Sequence, residues 1–326
     1  MVEFNARNFR TWSIMGINPC IWSVAFPEII ADDPDALAMT ADLARYSGMV
    51  RTQSKFPDRF YNFGIAEQNM VGTAAGMAMS GYHVFMTTYA PFITYRCADQ
   101  IRHLLGNLNL NIKAIGSAAG LSAGLSGNAL LALGDMAFMR SIPNMQVFSP
   151  ADCVEAVKIM LAVSKMNSPT YIRFCGATNI PAVYQQDYDF KIGKAVVLRR
   201  GAKILLAGTG LNIVANALKA AELIEEKTGI SVEVANFHTI KPIDTDYLEQ
   251  IRDFDLIVSI EEHSVIGGLG SAIAEFGIKR KCFPRQVFIG VEDKLYTLGK
   301  RDFMLDQCGL TAEKIADRII KEIKND

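Results

Sequence analysis

Phe63-Gly64-Ile65-Ala66-Glu67-Gln68-Asn69-Met70-Val71-Gly72-Thr73-Ala74-Ala75-Gly76-Met77-Ala78-Met79 opens on a strand end and a glycine and sets a carboxylate, Glu67, in the first helical turn. It then runs on as a helix nearly free of bulk. Two glycines in a helix interior cost about 1 kcal/mol each relative to alanine. Something must offset that cost, and close approach of another helix is the usual reason. Glu67 has two readings at this level: a solvated carboxylate favoured by the positive end of the helix dipole, or a carboxylate placed for chemistry.

Outward from this segment, short β-rich apolar runs alternate with helical patterns, which argues for βα units and parallel sheets. In the first half, strands are expected at 37–39, 83–87, 112–115, 145–148 and 170–173, with helices at 66–79, 92–105, 130–140 and 154–164. The last helix follows Ser149-Pro150-Ala151-Asp152, where a proline and a short acidic residue suit a helix start. A polar, aromatic stretch from Gly176 to Lys191, holding Pro181, Gln185, Gln186 and Asp187, interrupts the rhythm and reads as a linker. A second series then predicts strands at 204–207, 232–235 and 256–260. Its helices fall at 213–227, near 247–251, after Gly270 and over 311–324. In the first of these, Ile213, Val214, Ala217, Leu218, Ala221 and Ile224 share one face, as a core-packed helix requires. The expected architecture is α/β, with two open, mostly parallel-sheet domains at 1–176 and 192–326 joined by a linker at 177–191.

Composition agrees with a globular enzyme. The 326 residues suffice for two domains, half are hydrophobic and about a fifth are charged. A formal net charge of −1 offers no electrostatic footprint for nucleic acid or an anionic membrane. No apolar run approaches the roughly 20 residues of a spanning helix. Met1 to Arg10 carry polar and charged groups where a signal peptide needs an apolar core. Six scattered cysteines without CxxC spacing, Cys20, Cys97, Cys153, Cys175, Cys282 and Cys308, fit reduced thiols in a cytoplasmic protein and argue against a zinc site.

Gly64-Ile65-Ala66-Glu67-Gln68-Asn69-Met70, preceded by Phe56-Pro57-Asp58-Arg59-Phe60, resembles the pyrimidine-domain signature of transketolases and deoxyxylulose-phosphate synthases. The likeness continues in order through Thr40-Ala41-Asp42-Leu43, Tyr89-Ala90-Pro91-Phe92-Ile93-Thr94-Tyr95, Ser141-Ile142-Pro143-Asn144-Met145 and Ser149-Pro150-Ala151-Asp152. In the second half it includes Lys241-Pro242-Ile243-Asp244 and Glu261-Glu262-His263-Ser264-Val265-Ile266-Gly267-Gly268-Leu269-Gly270. An ordered series over essentially the whole chain is far more specific than one motif.

The resemblance implies a pyrimidine-binding domain for thiamine diphosphate followed by a transketolase C-terminal-like domain. Glu67 would hydrogen-bond N1′ of the aminopyrimidine, and the shared proton would favour the imino tautomer, whose 4′-nitrogen can deprotonate the thiazolium. The cofactor then stores the electrons of C–C cleavage. Holding that proton near neutral pH requires a poorly solvated carboxyl. Tyr89, Phe92 and Tyr95 would form an aromatic wall on the pyrimidine, or else serve as ordinary core aromatics. Asp42 would border the pocket or the subunit contact, or be a solvated loop carboxylate. Arg7, by its resemblance to an arginine near the domain start, and Arg173, at the end of the strand before the linker, would hold a substrate anion, or else be solvated surface charges.

Three departures from the family pattern matter. The Gly-Asp-Gly and Asn pattern that binds the diphosphate through a divalent cation is absent from the sequence, so a second, N-terminal-type polypeptide is expected to hold Mg²⁺. A heterotetramer with two copies of each chain follows from that expectation, and no metal site is expected in this chain. In the loop from Gly116 to Leu131, Ala118 stands where a histidine is expected, Leu125-Ser126 replaces an acidic pair, and Leu130 falls at a second histidine position. Asn69 takes the place of a further histidine. Imidazoles at such positions are typically worth about 10²–10⁴-fold in proton transfer, so an unusual sugar substrate is expected. His83 and His103 read as structural, His263 as facing the active-site side. Gly267-Gly268-Leu269-Gly270 lacks GxGxxG spacing and reads as tight packing at a helix start, not a phosphate loop. The leading reading is ketol transfer. Rivals are pyruvate-using acyloin or deoxyxylulose-type synthesis, a lipoyl-feeding dehydrogenase subunit, a non-catalytic regulatory paralogue and a plain nucleotide-binding protein.

Overall fold

The computed structural model describes residues 2–175, 178–280 and 283–324. Gly176, at the expected end of the first domain, Ala177, at the expected start of the linker, and Cys282 lie outside them. In chain order the strands are β1 (Ala36–Thr40), β2 (Phe60–Asn62), β3 (His83–Tyr89), β4 (Ile112–Ser117), β5 (Gln146–Phe148) and β6 (Thr170–Arg173). There follow β7 (Val196–Arg199), β8 (Ile204–Thr209), β9 (Val232–Asn236), β10 (Thr239–Lys241), β11 (Leu256–Ser264) and β12 (Arg285–Val291). They form two sheets, ordered β10-β5-β6-β4-β3-β1-β2 and β12-β11-β8-β9-β7. Pairing is parallel except where β10 meets β5 and β7 meets β9. The fold is thus α/β with two mostly parallel sheets, as expected.

Side chains in the first sheet alternate between two buried layers, as the two-residue period of a strand dictates. Leu37, Met39, Val84 and Met86 pack with the helix Glu67–Met79, while Ala36, Ala38 and Phe85 pack with helices at the N-terminus and Cys153–Ser164. The latter helix starts as predicted. Asp152 accepts the Glu155 N–H at 2.9 Å, and Glu155 Oε2 accepts the Ala151 N–H at 2.7 Å, a reciprocal cap.

Two expected helices are corrected. The span 92–105 is two wide π-helical segments, Phe92–Arg96 and Ile101–Asn107, around the short turn Ala98–Gln100. Thr94 Oγ1 donates to the Ala90 carbonyl at 2.5 Å, and that side-chain bond competes with the regular α-helical ladder. The span 130–140 keeps only Asp135–Ser141, because the chain before it is 3-10 turns followed by an extended Leu131. Strands β2, β7, β10 and β12 and the N-terminal helices Ala6–Met15 and Phe26–Asp32 are not legible in the apolar pattern. β2 and β10 are only three residues long, and Pro19 and Pro27 interrupt the helical periodicity.

The two halves share structure. β10, from the second half of the chain, closes the edge of the first sheet, and Lys241 Nζ donates to the Arg140 carbonyl at 2.9 Å. One apolar cluster runs from Met70 and Val84 through to Leu248 and Phe276.

The glycines of the helix Glu67–Met79 are not explained within the chain. Gly72 and Gly76 are exposed, and a Cβ built on either meets nothing within 4 Å. Among the described residues, no helix makes the close approach expected there. Gly72→Ala should therefore raise the stability of the lone chain by about 1 kcal/mol through helix propensity, measured by urea denaturation; a loss of stability would show that the face is already in contact.

Candidate active site

The C-terminal ends of β1, β3 and β4 lie side by side, Thr40 opposite Thr87 and Thr88 opposite Gly116. In open parallel sheets this edge is where ligands bind. The Asn62 side-chain oxygen accepts both the Asp42 N–H (2.9 Å) and the Gly64 N–H (3.1 Å), tying the loop after β1 to the turn before the helix. Gly64 adopts φ +68°, the left-handed conformation glycine tolerates at no steric cost. Glu67 follows as the first helical residue, with its side chain turned inward and only 4% exposed.

Arg96 is the partner that sequence reasoning missed. Its Nη1 lies between the two Glu67 oxygens, at 3.0 and 2.9 Å, and its guanidinium stacks over the Phe92 ring at 4.0 Å from the centroid. Gln68 Nε2 donates to the Arg96 carbonyl at 2.9 Å, fixing the backbone that carries it. The available signal was the spacing of Phe92 and Arg96, four residues apart on a helical stretch. Beneath them, burial and the Glu67 charge push the Cys97 thiol up to about 12, so it stays protonated and inert.

The three predicted rings separate. Tyr89 and Phe92 are neighbours, with centroids 6.0 Å apart at 40°. Tyr89 also borders an open cleft of about 560 Å³ with Arg45, Tyr46, Ser117 and Ala118. Tyr95 is committed elsewhere: its hydroxyl oxygen accepts the Gly134 N–H at 2.7 Å. Burial and the Asp135 charge push that hydroxyl up to about 12. Asp42 is exposed just beyond β1, in the left-handed region at φ 58°. Arg7 is exposed on the first turn of the helix Ala6–Met15, whose buried Phe9 and Trp12 pack on the opposite face of the sheet from the Glu67 helix. The structure does not bring it to Glu67.

The anion-binding expectation for Arg173 is corrected. Arg173 is 1% exposed, with Nε donating to Asp135 at 2.8 Å and Nη2 to the Glu262 carbonyl at 3.1 Å. Asp135 also accepts the Tyr171 hydroxyl at 2.7 Å. Arg173 thus clamps the two halves together, since a buried guanidinium must be paired.

His263 is corrected likewise, because it is fully buried and does not face the site. Its Nδ1 lies 2.7 Å from the Ser264 carbonyl and its Nε2 3.4 Å from the Ala137 nitrogen. A neutral ring with the proton on Nδ1 satisfies both contacts. Burial lowers His263 to about 4 and His238 likewise to about 4. In an NMR titration both imidazoles should therefore remain neutral from pH 8 down to about pH 5; a protonation step near pH 6.5 would contradict this environment. His83 pairs with Asp33, a partner not legible in the sequence, and His103 is exposed.

The Gly267-Gly268-Leu269-Gly270 segment is tight packing, as read. The Glu261 carboxylate accepts the Leu269 and Gly270 N–H groups at 2.7 and 2.9 Å, occupying the start of the helix Leu269–Gly277. A Cβ on Gly268 would collide with that carboxylate. The loop after β4 is drawn toward the second half by Glu262, whose Oε1 accepts the Leu121 N–H at 2.8 Å. No histidine or acid of that loop faces the cleft; Ser117 and Ala118 do.

Residues 21–177 match the family "Transketolase, pyrimidine binding domain", and residues 193–315 match "Transketolase, C-terminal domain". A 6-deoxy-6-sulfo-D-fructose transketolase subunit from Clostridium sp. (strain MSTE9) is 35% identical, covering 91% of this chain and 92% of the relative. A subunit of an apulose-4-phosphate transketolase from Actinobacillus succinogenes is 33% identical over 90% of this chain and 94% of its own length. Among solved structures, a split gene transketolase described as an inactive beta4 tetramer superposes with a TM-score of 0.83. It is 34% identical and covers 94% of this chain and 98% of its own.

Proposed function

This chain belongs to the transketolase family of thiamine diphosphate-dependent transferases, and on that premise we propose that it is the pyrimidine-side subunit of a split enzyme that moves a two-carbon ketol unit from a ketose-type donor to an aldehyde acceptor. The observation that carries the reading is the buried Glu67 carboxylate beside the Phe92 face, already holding a flat, nitrogen-bearing cation. An aminopyrimidine, likewise flat and able to share a proton from a ring nitrogen, fits the same pair of groups. Thiamine diphosphate supplies the acidic thiazolium carbon and the electron sink for C–C cleavage.

Glu67 holds the proton at the ring nitrogen, and its burial keeps water from competing for it. Phe92 offers its face to the pyrimidine, and Tyr89 continues that wall into the cleft. Tyr95 supports the wall indirectly by bracing Gly134. Asp42 lies at the same sheet edge, facing the pocket or the subunit contact. Arg7 would reach a substrate anion only across a subunit boundary. The domain division remains 1–176 and 192–326 around a linker at 177–191.

The open glycine face of the Glu67 helix supports docking of a diphosphate-binding subunit, which would carry Mg²⁺, in a tetramer of two copies of each chain. The five described cysteines are buried and unpaired, which suits the proposed cytoplasmic location. No helix among the described residues is long and apolar enough to cross a membrane. Ala118, Leu125 and Leu130 leave the loop without imidazoles, which favours an unusual sugar. The relative named for a sulfo-sugar supports that direction over pyruvate chemistry.

The test co-expresses this chain with a neighbouring gene product bearing Gly-Asp-Gly and a following Asn. The complex, with thiamine diphosphate and Mg²⁺, is given ketose phosphates, unphosphorylated ketoses, sulfo-ketoses and pyruvate. Ketol transfer by the complex and none by either chain alone is expected; turnover of pyruvate only, or by the lone chain, would refute the reading.

A further inference from the structure

Arg96 does more than neutralise Glu67. It places a single nitrogen between the two carboxylate oxygens and lays its planar guanidinium over Phe92 at 4.0 Å. A flat, delocalised cation against a buried carboxylate and an aromatic face occupies the volume and the hydrogen-bonding valence that an aminopyrimidine would need. The side chain is 44% exposed, so it can leave toward solvent, whereas Glu67 at 4% cannot follow. Arg96 also ends the π-helical segment Phe92–Arg96, a rare geometry that is frequent at functional sites. The neighbouring Cys97 has backbone angles outside the α-helical range, so the chain bends directly after Arg96.

We propose that Arg96 is an internal plug: it mimics the aminopyrimidine, holds Glu67 paired in the chain by itself, and must swing away when cofactor and partner bind. This rests on Glu67 being the cofactor-binding carboxylate. The plug solves a physical problem, since a buried carboxylate without a partner would destabilise the uncomplexed subunit. Its consequence is that cofactor affinity is lowered by the fraction of chains in which the site is held shut.

Two measurements test it. In the full chain alone, Arg96→Met should lower the melting temperature by about 2–4 °C but by clearly less in a Glu67→Gln background, where only a neutral hydrogen bond is lost. In the complex with its partner subunit and Mg²⁺, calorimetric titration with thiamine diphosphate should show Arg96→Met binding about tenfold more tightly than wild type. Arg96→Lys, which keeps the charge but cannot lie flat on Phe92, should fall between. Absence of coupling between positions 67 and 96 would overturn the plug, as would equal or weaker binding by Arg96→Met, which would make Arg96 a cofactor-holding group. If coupling is present but neither complex binds thiamine diphosphate, the cofactor reading of Glu67 fails and the plug falls with it.

Discussion

Glu67→Gln should leave the subunit folded and able to assemble, yet lower turnover of the complex by at least about 10²-fold. Glutamine preserves the volume of the side chain and a hydrogen bond to Arg96, but it cannot share a proton with a ring nitrogen. Because Arg96 is half exposed, water can replace the lost charge contact, so the stability change should stay within about 1 kcal/mol. The loss should appear in kcat, because the missing function is a proton position, not substrate affinity. Circular dichroism and gel filtration would establish that the variant folds and assembles, and turnover would be measured with the donor found active for the wild type. Full-strength turnover by a folded, assembled Glu67→Gln complex would end the assignment of Glu67 as the activating carboxylate.

Gly76→Leu should abolish assembly without harming the subunit. In the chain alone a side chain at position 76 meets open space, and removing a helix-interior glycine recovers about 1 kcal/mol. Should the face pack closely on a partner, a leucine forces the two surfaces apart at a cost of about 1–3 kcal/mol per contact, felt twice in a tetramer. The complex should then run as separate chains in analytical ultracentrifugation at micromolar concentration, and activity should vanish with it. A variant that assembles normally would place the partner on another face and leave Gly72 and Gly76 unexplained.

Much of the fold was legible. Strands β1, β3, β4, β5 and β6 form within two residues of their expected ends, since continuous apolar runs are what a sheet buried on both faces requires. The helix Ile213–Thr228 follows from its apolar face, and Asp152 caps a helix where Ser149-Pro150-Ala151-Asp152 announced one. Elements that escaped were short or irregular: β2 and β10 have three residues each, too few to show a period. The region 92–105 has the composition of a regular helix but is widened where Thr94 turns its hydroxyl onto the backbone.

At the site, local sequence determined that Glu67 would sit in the first turn of a helix after a glycine, because those preferences involve only adjacent residues. The family resemblance, and not the local pattern, set Phe92 of the separate segment Tyr89–Tyr95 on the wall of the same pocket. Tertiary structure alone decided what each charge meets. Arg173 and Arg96 look alike as arginines in a sequence, yet one is sealed against Asp135 between the two halves and the other lies half exposed over Phe92 on Glu67. Ion pairing between residues 29 or 38 positions apart depends on how sheets and domains close. The free energy of a charge is set by that burial and partner, which no local stretch of chain contains.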